Sequence, residues 1–529
     1  MTRLTFCTCG LTLVFLYFST GLAQDLNFAH VYDVGPGYSY ATPSDVPWEA
    51  LQPGTLVRIH YRETPYNDKW VVAAAGTAQE PVVIRGVPQG DRLPVITGDN
   101  ARTRQELDYW NEDRSVIKIG GASHPSATPA YITIENLVIR SARPAFTFSD
   151  DRGNNQTYRD NAASIHIEAG DHITIRNCTL TDSGNGLFSG AQSSAVLVES
   201  CYVHANGIAD SIYHHNSYTE SLGITFQYNH YGPLRAGCRG NNLKDRSAGT
   251  VIRYNWIEAG NRTLDLVDSD HAQIYDDPAY RQTFVYGNIL IKHDVVENGQ
   301  VLHYGGDSNA TARYRKGMLW FYNNTVVSRR SDNTTLMRLS TNDEHCECFN
   351  SIIYVTLEGS RLAILSENGD INLHHNWLKT GWRDVHGTLL GNIDSRDNVE
   401  GVLPGFVDFG QQDFTLAAGS DCIDRGDPVP EAVLPEHNLD LSYAVHQGKR
   451  PRYPLGPMDL GAFEWPLPQA GDIDADGRLD LRDAILALML AAGNPPPEPV
   501  YRAADTDGDA RISVREAVYV LQMLSDLRN

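Results

Sequence analysis

Short phrases in which apolar and polar residues alternate recur along most of the chain. Each is centred on an asparagine with an apolar or β-prone residue two places later: TIENLVI (Asn136), TIRNCTL (Asn177), TFQYNHY (Asn229), VIRYNWI (Asn255), FVYGNIL (Asn288), WFYNNTVV (Asn324), CFNSIIY (Asn350) and LHHNWL (Asn376). Period-2 alternation punctuated by Gly, Asn and Asp predicts strands. The gaps between these asparagines are 41, 52, 26, 33, 36, 26 and 26 residues, and a variant phrase around Ser200 splits the longest. Such spacing fits a coil of about 23–26 residues carrying loops of variable length, the signature of a solenoid. The expected fold is mainly β: a single-stranded right-handed parallel β-helix whose stacked asparagines hydrogen-bond along a buried corner. A β-propeller is the runner-up, and the uneven gaps fit its steadier blade period poorly.

Helical periodicity enters only near the end of the chain. Ala484–Ala491 (AILALMLA) and Ala517–Leu524 (AVYVLQML) are apolar runs at helical spacing, each preceded by an acidic loop. The first loop places Asp472, Asp474, Asp476, Asp480 and Asp483 at positions 1, 3, 5, 9 and 12, with Gly477 at position 6. The second repeats the spacing with Asp505, Asp507, Asp509, Ser513 and Glu516, but has Ala510 at position 6. Oxygens at those positions wrap Ca²⁺ in an EF-hand loop. Two such units, separated by NPPPEP (Asn494–Pro499), resemble a dockerin module. That resemblance covers 471–529 and implies calcium binding, a cohesin-type partner and a carbohydrate-active protein upstream. A calcium-stabilised terminal module without a partner is the alternative.

Charge and cysteine content narrow the setting. The net charge of −22 argues against nucleic acid, which is bound by neutralising phosphates. Arg3, the apolar run Leu11–Phe18 and the small residues Gly21–Ala23 read as a secretory signal over 1–23. No later stretch is long and apolar enough to span a membrane. The expected organisation is a signal over 1–23, the β-helix with its end segments over 24–465, a linker over 466–470 and the calcium module over 471–529, in an exported monomer. Of the six cysteines after residue 23, an exported chain could pair some, and Cys178 and Cys201 occupy equivalent places in successive repeats.

Candidate chemistry follows from aligning the coils. With Ile165, Leu187, Ile212, Leu243, Leu264 and Leu302 facing inward, the next residues, His166, Phe188, Tyr213, Lys244, Asp265 and His303, form one outward row about 4.8 Å apart. Two residues further on, Glu168, His215 and Arg246 share that face. The phrase LKDRS followed by VIRYN (Leu243–Asn255) resembles secreted β-helix proteins related to polysaccharide lyases. The runs Val82–Asp99, Asp413–Pro428 and Met458–Trp465 resemble their opening and closing segments.

That resemblance implies β-elimination on a uronic-acid-containing polysaccharide, with Lys244 as base. Arg246, Arg262 and Arg253 are candidates for the acid, in that order, and His215 for a proton shuttle or sugar contact. His166, Tyr213, Arg239, Arg253, Asp265 and His303 are the expected sugar contacts, and Tyr213 or Tyr218 the lesser candidates for acid. A base lysine must be partly neutral, and burial or the nearby Arg239, Arg246 and Arg253 would lower its pKa. The lyases also place acidic calcium ligands shortly before the lysine, and Gly237–Asn242 holds no carboxylate. Three other readings remain open. A glycosidase would use Asp265, Asp268 and Asp270, an epimerase would begin with the same proton abstraction, and an adhesin-type solenoid would only bind glycan. In the bland reading, Lys244 and Arg246 are ion-paired solenoid residues.

Overall fold

The computed structural model describes residues 28–525, apart from 295–297, 453, 455, 467–468, 475–477, 495, 497–499, 502–503 and 510. The expected signal over 1–23, and Asp476, Gly477 and Ala510 of the acidic loops, lie outside the described residues.

Successive repeats pair in parallel and in register, so the body is a stack of β-coils. Each coil contributes up to three short strands. Coil by coil, Leu243–Asp245 pairs with Leu264–Leu266, Ala248–Arg253 with Gln282–Tyr286, and Trp256–Glu258 with Ile289–Lys292. This parallel stacking is a β-helix and excludes the antiparallel blades of a propeller. Alternation dictates which residues fill it. Ile165, Leu187, Leu243, Leu264 and Leu302 are fully buried in one continuous core, each worth roughly 1.5–3 kcal/mol of apolar burial.

Asparagine stacks at one corner, but not all those the repeats suggested. The ladder runs through Asn229, Asn255, Asn288, Asn324, Ser351, Asn376 and Asn398. In each step a side-chain oxygen accepts the backbone N–H one coil back, at 2.9–3.2 Å. Asn136, Asn177 and Asn350 instead sit one residue earlier, at positive φ of 60°, 47° and 53°. That left-handed turn favours asparagine for a different reason: its short polar side chain tolerates the conformation. Cys178 and Cys201 occupy the ladder position in their own coils, and all six described cysteines are buried and unpaired. Pairing among them is thereby corrected.

From about residue 404 the chain stops coiling and straps one flank. Tyr254 and Tyr322 donate to the backbone carbonyls of Asn438 and His437, and Asn323 donates to that of Asp459.

Beyond the strap, helices Leu481–Ala491 and Val514–Leu524 pack on each other around Ile473, Leu486, Ala487, Ala504 and Ala517. Asp480 and Ser513 cap them, with Asp483 and Glu516 closing reciprocal capping boxes. These are the residue types that hold orphan N–H groups at a helix start. No helix among the described residues is long and apolar enough to cross a membrane.

Candidate functional site

One outward row crosses nine successive strands: Val71, Lys118, His166, Phe188, Tyr218, Lys244, Asp265, His303 and Arg338. His166, Lys244, Asp265 and His303 stand where the alternation placed them, but Tyr213 does not. The chain leaves the coil after His204 and re-enters at Ser217, so Ser217 faces inward and Tyr218 outward. Ile212 and Tyr213 lie on the intervening loop, 50% and 73% exposed. An alternation count cannot be carried across a loop. Arg253 is corrected as well. It belongs to a second row on another face, bonding Gln227 and the Tyr286 hydroxyl at 2.9 and 3.1 Å. Arg239 lies exposed on the loop before Leu243.

Charged groups converge at the centre of the row. The Lys244 ammonium donates to Asp265 at 2.9 Å and to Asp307 at 2.5 Å. Arg246 reaches the other Asp307 oxygen at 2.9 Å, and its Nε donates to the Tyr218 hydroxyl at 3.0 Å. Asp265 is itself buried between Lys244, His303 Nδ1 at 2.9 Å, Asn241 at 2.6 Å and Arg262 at 3.5 Å. Asp307 is the half-buried partner, its side chain 32% exposed. Sequence reasoning missed it: it follows the strand Gln300–Tyr304 in a loop and reaches back over two coils.

The electrostatics reverse one expectation. Burial acts to lower the Lys244 pKa, but Asp265 and Asp307 outweigh it and raise the value above the usual 10.5. The nearby arginines do not make this lysine a neutral base. Arg246 is likewise raised, with Tyr218 and Asp307 outweighing burial. Asp265 and Asp307 are lowered, because the adjacent cations overcome their burial. Arg262 is lowered by burial and donates to Gln300 at 2.8 Å.

His215 is buried against the edge of Tyr218, ring centroids 5.4 Å apart. Burial and the Lys244 charge push its pKa down to about 3. Its Nδ1 accepts the backbone N–H of Asn241 at 2.9 Å, which leaves Nε2 carrying the proton of a neutral ring. His166 is pushed well down by burial, beside Glu168. His303 is held between Asp265 and Ser340.

The other half of the row is aromatic. Phe188 stands edge-on to Tyr218 at 5.4 Å and to His166 at 5.0 Å. Phe188, Tyr218, Tyr213, His214 and Arg159 help line an open groove of about 680 Å³. Sugar rings present apolar faces to such aromatics and polar edges to charges, so this surface can hold a glycan across the coils.

The carboxylates Asp265, Asp268 and Asp270, considered for hydrolysis, do not form an accessible pair. Asp265 and Asp268 are buried, and Asp268 accepts from the backbone of Asp307 and Ser308. Asp270 is exposed and paired with Arg313.

In the terminal module, carboxylate oxygens of Asp472, Asp474 and Asp483 lie within 4.8 Å of one another, as do those of Asp505, Asp507 and Asp509. Hard oxygen donors brought together in this way suit Ca²⁺. Among the described residues, no such cluster lies beside Lys244.

No protein-family model and no curated protein matches the chain. Several solved structures are similar to it. An alginate lyase from Paenibacillus sp. str. FPU-7 matches at 10% identity over 66% of this chain and 93% of that one, with a TM-score of 0.40. The pectate lyase Pel9A matches at 12% over 83% and 97%, TM-score 0.42. A GH136 lacto-N-biosidase from Eubacterium ramulus matches at 14% over 71% and 68%, TM-score 0.43. Likeness at this level leaves reaction and substrate open, and the β-helix assignment rests on strand register alone.

Proposed function

We propose that the protein is a carbohydrate-active lyase that cleaves a uronic-acid-containing polysaccharide by β-elimination at the outward row, with Tyr218 as the proton-transferring group. The observation that carries this reading is the Tyr218–Arg246 contact at 3.0 Å, on the wall of the aromatic groove and one coil from Lys244. The guanidinium holds the phenol oxygen at the groove wall, and a tyrosine acting as base there reacts as its phenolate. Tyr218 then takes the proton from C5 of the uronate, the C4–C5 double bond forms, and the C4–O bond breaks. The same phenol returns the proton to the departing oxygen.

Lys244 keeps its place in the site with a different task. Charged and fixed, it serves with Arg246 to neutralise the uronate carboxylate, which makes the carbanion-like state accessible. Asp307, spanning both cations, occupies the position that carboxylate would take. Arg262 and His303 hold Asp265, and through it Lys244. His215, as a neutral Nε2–H donor, and His166 contact the sugar or its neighbours. Tyr213 contributes from its loop.

The acidic loops supply two Ca²⁺ sites, one from Asp472, Asp474, Asp476, Asp480 and Asp483, the other from Asp505, Asp507, Asp509, Ser513 and Glu516. The exposed stripes Leu481, Ile485, Leu488 and Val514, Val518, Leu521 repeat the same spacing on both helices. They support docking to a cohesin-type partner in an exported, extracellular setting.

The test is a panel of uronate polymers. Elimination yields an unsaturated product absorbing in the ultraviolet, hydrolysis yields reducing ends without that band, and a glycan-binding solenoid yields neither. The proposal expects the first result, and either of the others overturns it.

A further inference from the structure

Far from the outward row, a second cluster of chemistry-bearing side chains sits where the strap crosses the coils. The strand Asp370–His374 ends at a corner, and the next residue, His375, has φ of 51°. On a regular strand, adjacent side chains point to opposite faces. The left-handed turn cancels that rule here. The His374 and His375 rings stand nearly perpendicular, at 88°, and their Nδ1 atoms face each other at 3.2 Å. A carboxylate oxygen of Asp427, on the strap, lies within 4.8 Å of a ring nitrogen of each histidine.

We infer that His374, His375 and Asp427 form a binding site for a divalent transition-metal ion, with Zn²⁺ as its representative. Two imidazole nitrogens and one carboxylate are the donor set of borderline cations, not of Ca²⁺ or Mg²⁺. Zn–N bonds of about 2.0–2.1 Å in tetrahedral geometry separate two nitrogen ligands by about 3.3 Å, close to the 3.2 Å found here. Without an ion, two ring lone pairs so placed need a shared proton between them. The surroundings are built as metal-ligand histidines are. On its other side, His374 Nε2 lies 3.6 Å from the Glu347 carboxylate, and Asn372 donates to that carboxylate at 2.6 Å. A carboxylate behind a histidine fixes the orientation of its ring as a ligand. Phe349 stacks flat on the His374 ring, 5.4 Å between centroids and 3° between planes.

The third ligand is held just as firmly. The Asn350 side chain, at the corner one coil earlier, accepts the Asp427 backbone N–H at 2.8 Å and donates to its carbonyl at 2.7 Å. An ion here clamps the strap to the last coils, with a fourth position left for water. The site is independent of the groove and of any reaction there.

The test uses the full chain with Ca²⁺ kept saturating, so that the acidic loops are occupied. Zn²⁺ uptake is followed by calorimetric titration, and Co²⁺ uptake by its visible absorption. His375→Asn is the first variant, because asparagine tolerates the left-handed corner. Asp427→Asn, which retains the backbone contacts to Asn350, is the second. The wild type is expected to take up one more Zn²⁺ equivalent than His375→Asn. Its thermal midpoint should rise with Zn²⁺, on the order of 3 °C at saturating metal, and Asp427→Asn should bind at least ten-fold more weakly. Equal uptake by the wild type and both variants, or no uptake by the wild type, overturns the inference.

Discussion

Two polar rows run along the same solenoid, and they differ in how they close. The corner row repeats almost one residue, asparagine, from Asn229 to Asn398. Its members from Asn229 to Asn376 are buried, and each bonds the next. A buried amide must be satisfied by whatever the next coil offers, and a copy of itself does this best, so the row is monotonous. The outward row, Lys118 to Arg338, changes type at almost every coil. Most of its members are buried too, but each is satisfied by a different neighbour, Lys244 by Asp265 and Asp307, His303 by Asp265 and Ser340, so nothing forces repetition, and the variety there reflects what the surface must hold. In a stacked fold, sameness marks scaffold and variety marks chemistry.

Breaking the outward row at its centre should have the largest effect on stability. Lys244→Met leaves Asp265 buried with one cation fewer and is expected to cost about 3 kcal/mol in urea unfolding. Breaking the corner row at Asn288→Ala removes the acceptor of both the Asn255 backbone N–H and its amide, for about 2 kcal/mol. If the comparison holds, this variant keeps its activity per folded molecule, whereas Lys244→Met loses it.

pH should separate the rows without mutation. Asp265 and Asp307 are lowered from the ordinary 3.8, so their stabilisation is complete above that value and lost as pH falls below it. Lys244 is raised above 10.5, so its contribution is complete below 10.5 and lost at still higher pH. The corner amides do not titrate. Thermal midpoints of the wild type should therefore fall at both extremes, with a shallower acid limb in Asp307→Asn. The smallest effect expected is that of Phe188→Ala, about five-fold in KM from the loss of one aromatic contact, with the midpoint nearly unchanged.

Much of this was legible in the sequence, and the failures have identifiable physical causes. Alternation within a strand placed Lys244, Asp265 and His303 on one face, because a buried core leaves a strand no second register. The helices after the acidic loops were equally plain from their spacing. Alternation failed at Tyr213, where a loop intervenes, so the repeat pattern did not put Tyr218 in the row. The pattern S-Y-T, small–aromatic–small at Ser217–Thr219, was the available signal. Asp307 left no trace, since no periodicity predicts a loop folding back onto an earlier coil. Sequence proximity to three arginines misjudged Lys244, because a lysine's pKa depends on what its ammonium touches, and here that is two carboxylates. Arg253 was misplaced for a related reason: nine residues along a β-helix is enough to turn onto another face.

The most direct measurement is ultraviolet absorbance during digestion of uronate polymers by the full chain and by Tyr218→Phe at equal folded concentration. The account predicts an unsaturated product from the wild type and a rate at least about 10²-fold lower in the variant, with its thermal midpoint unchanged. A variant that eliminates as fast as the wild type would contradict it.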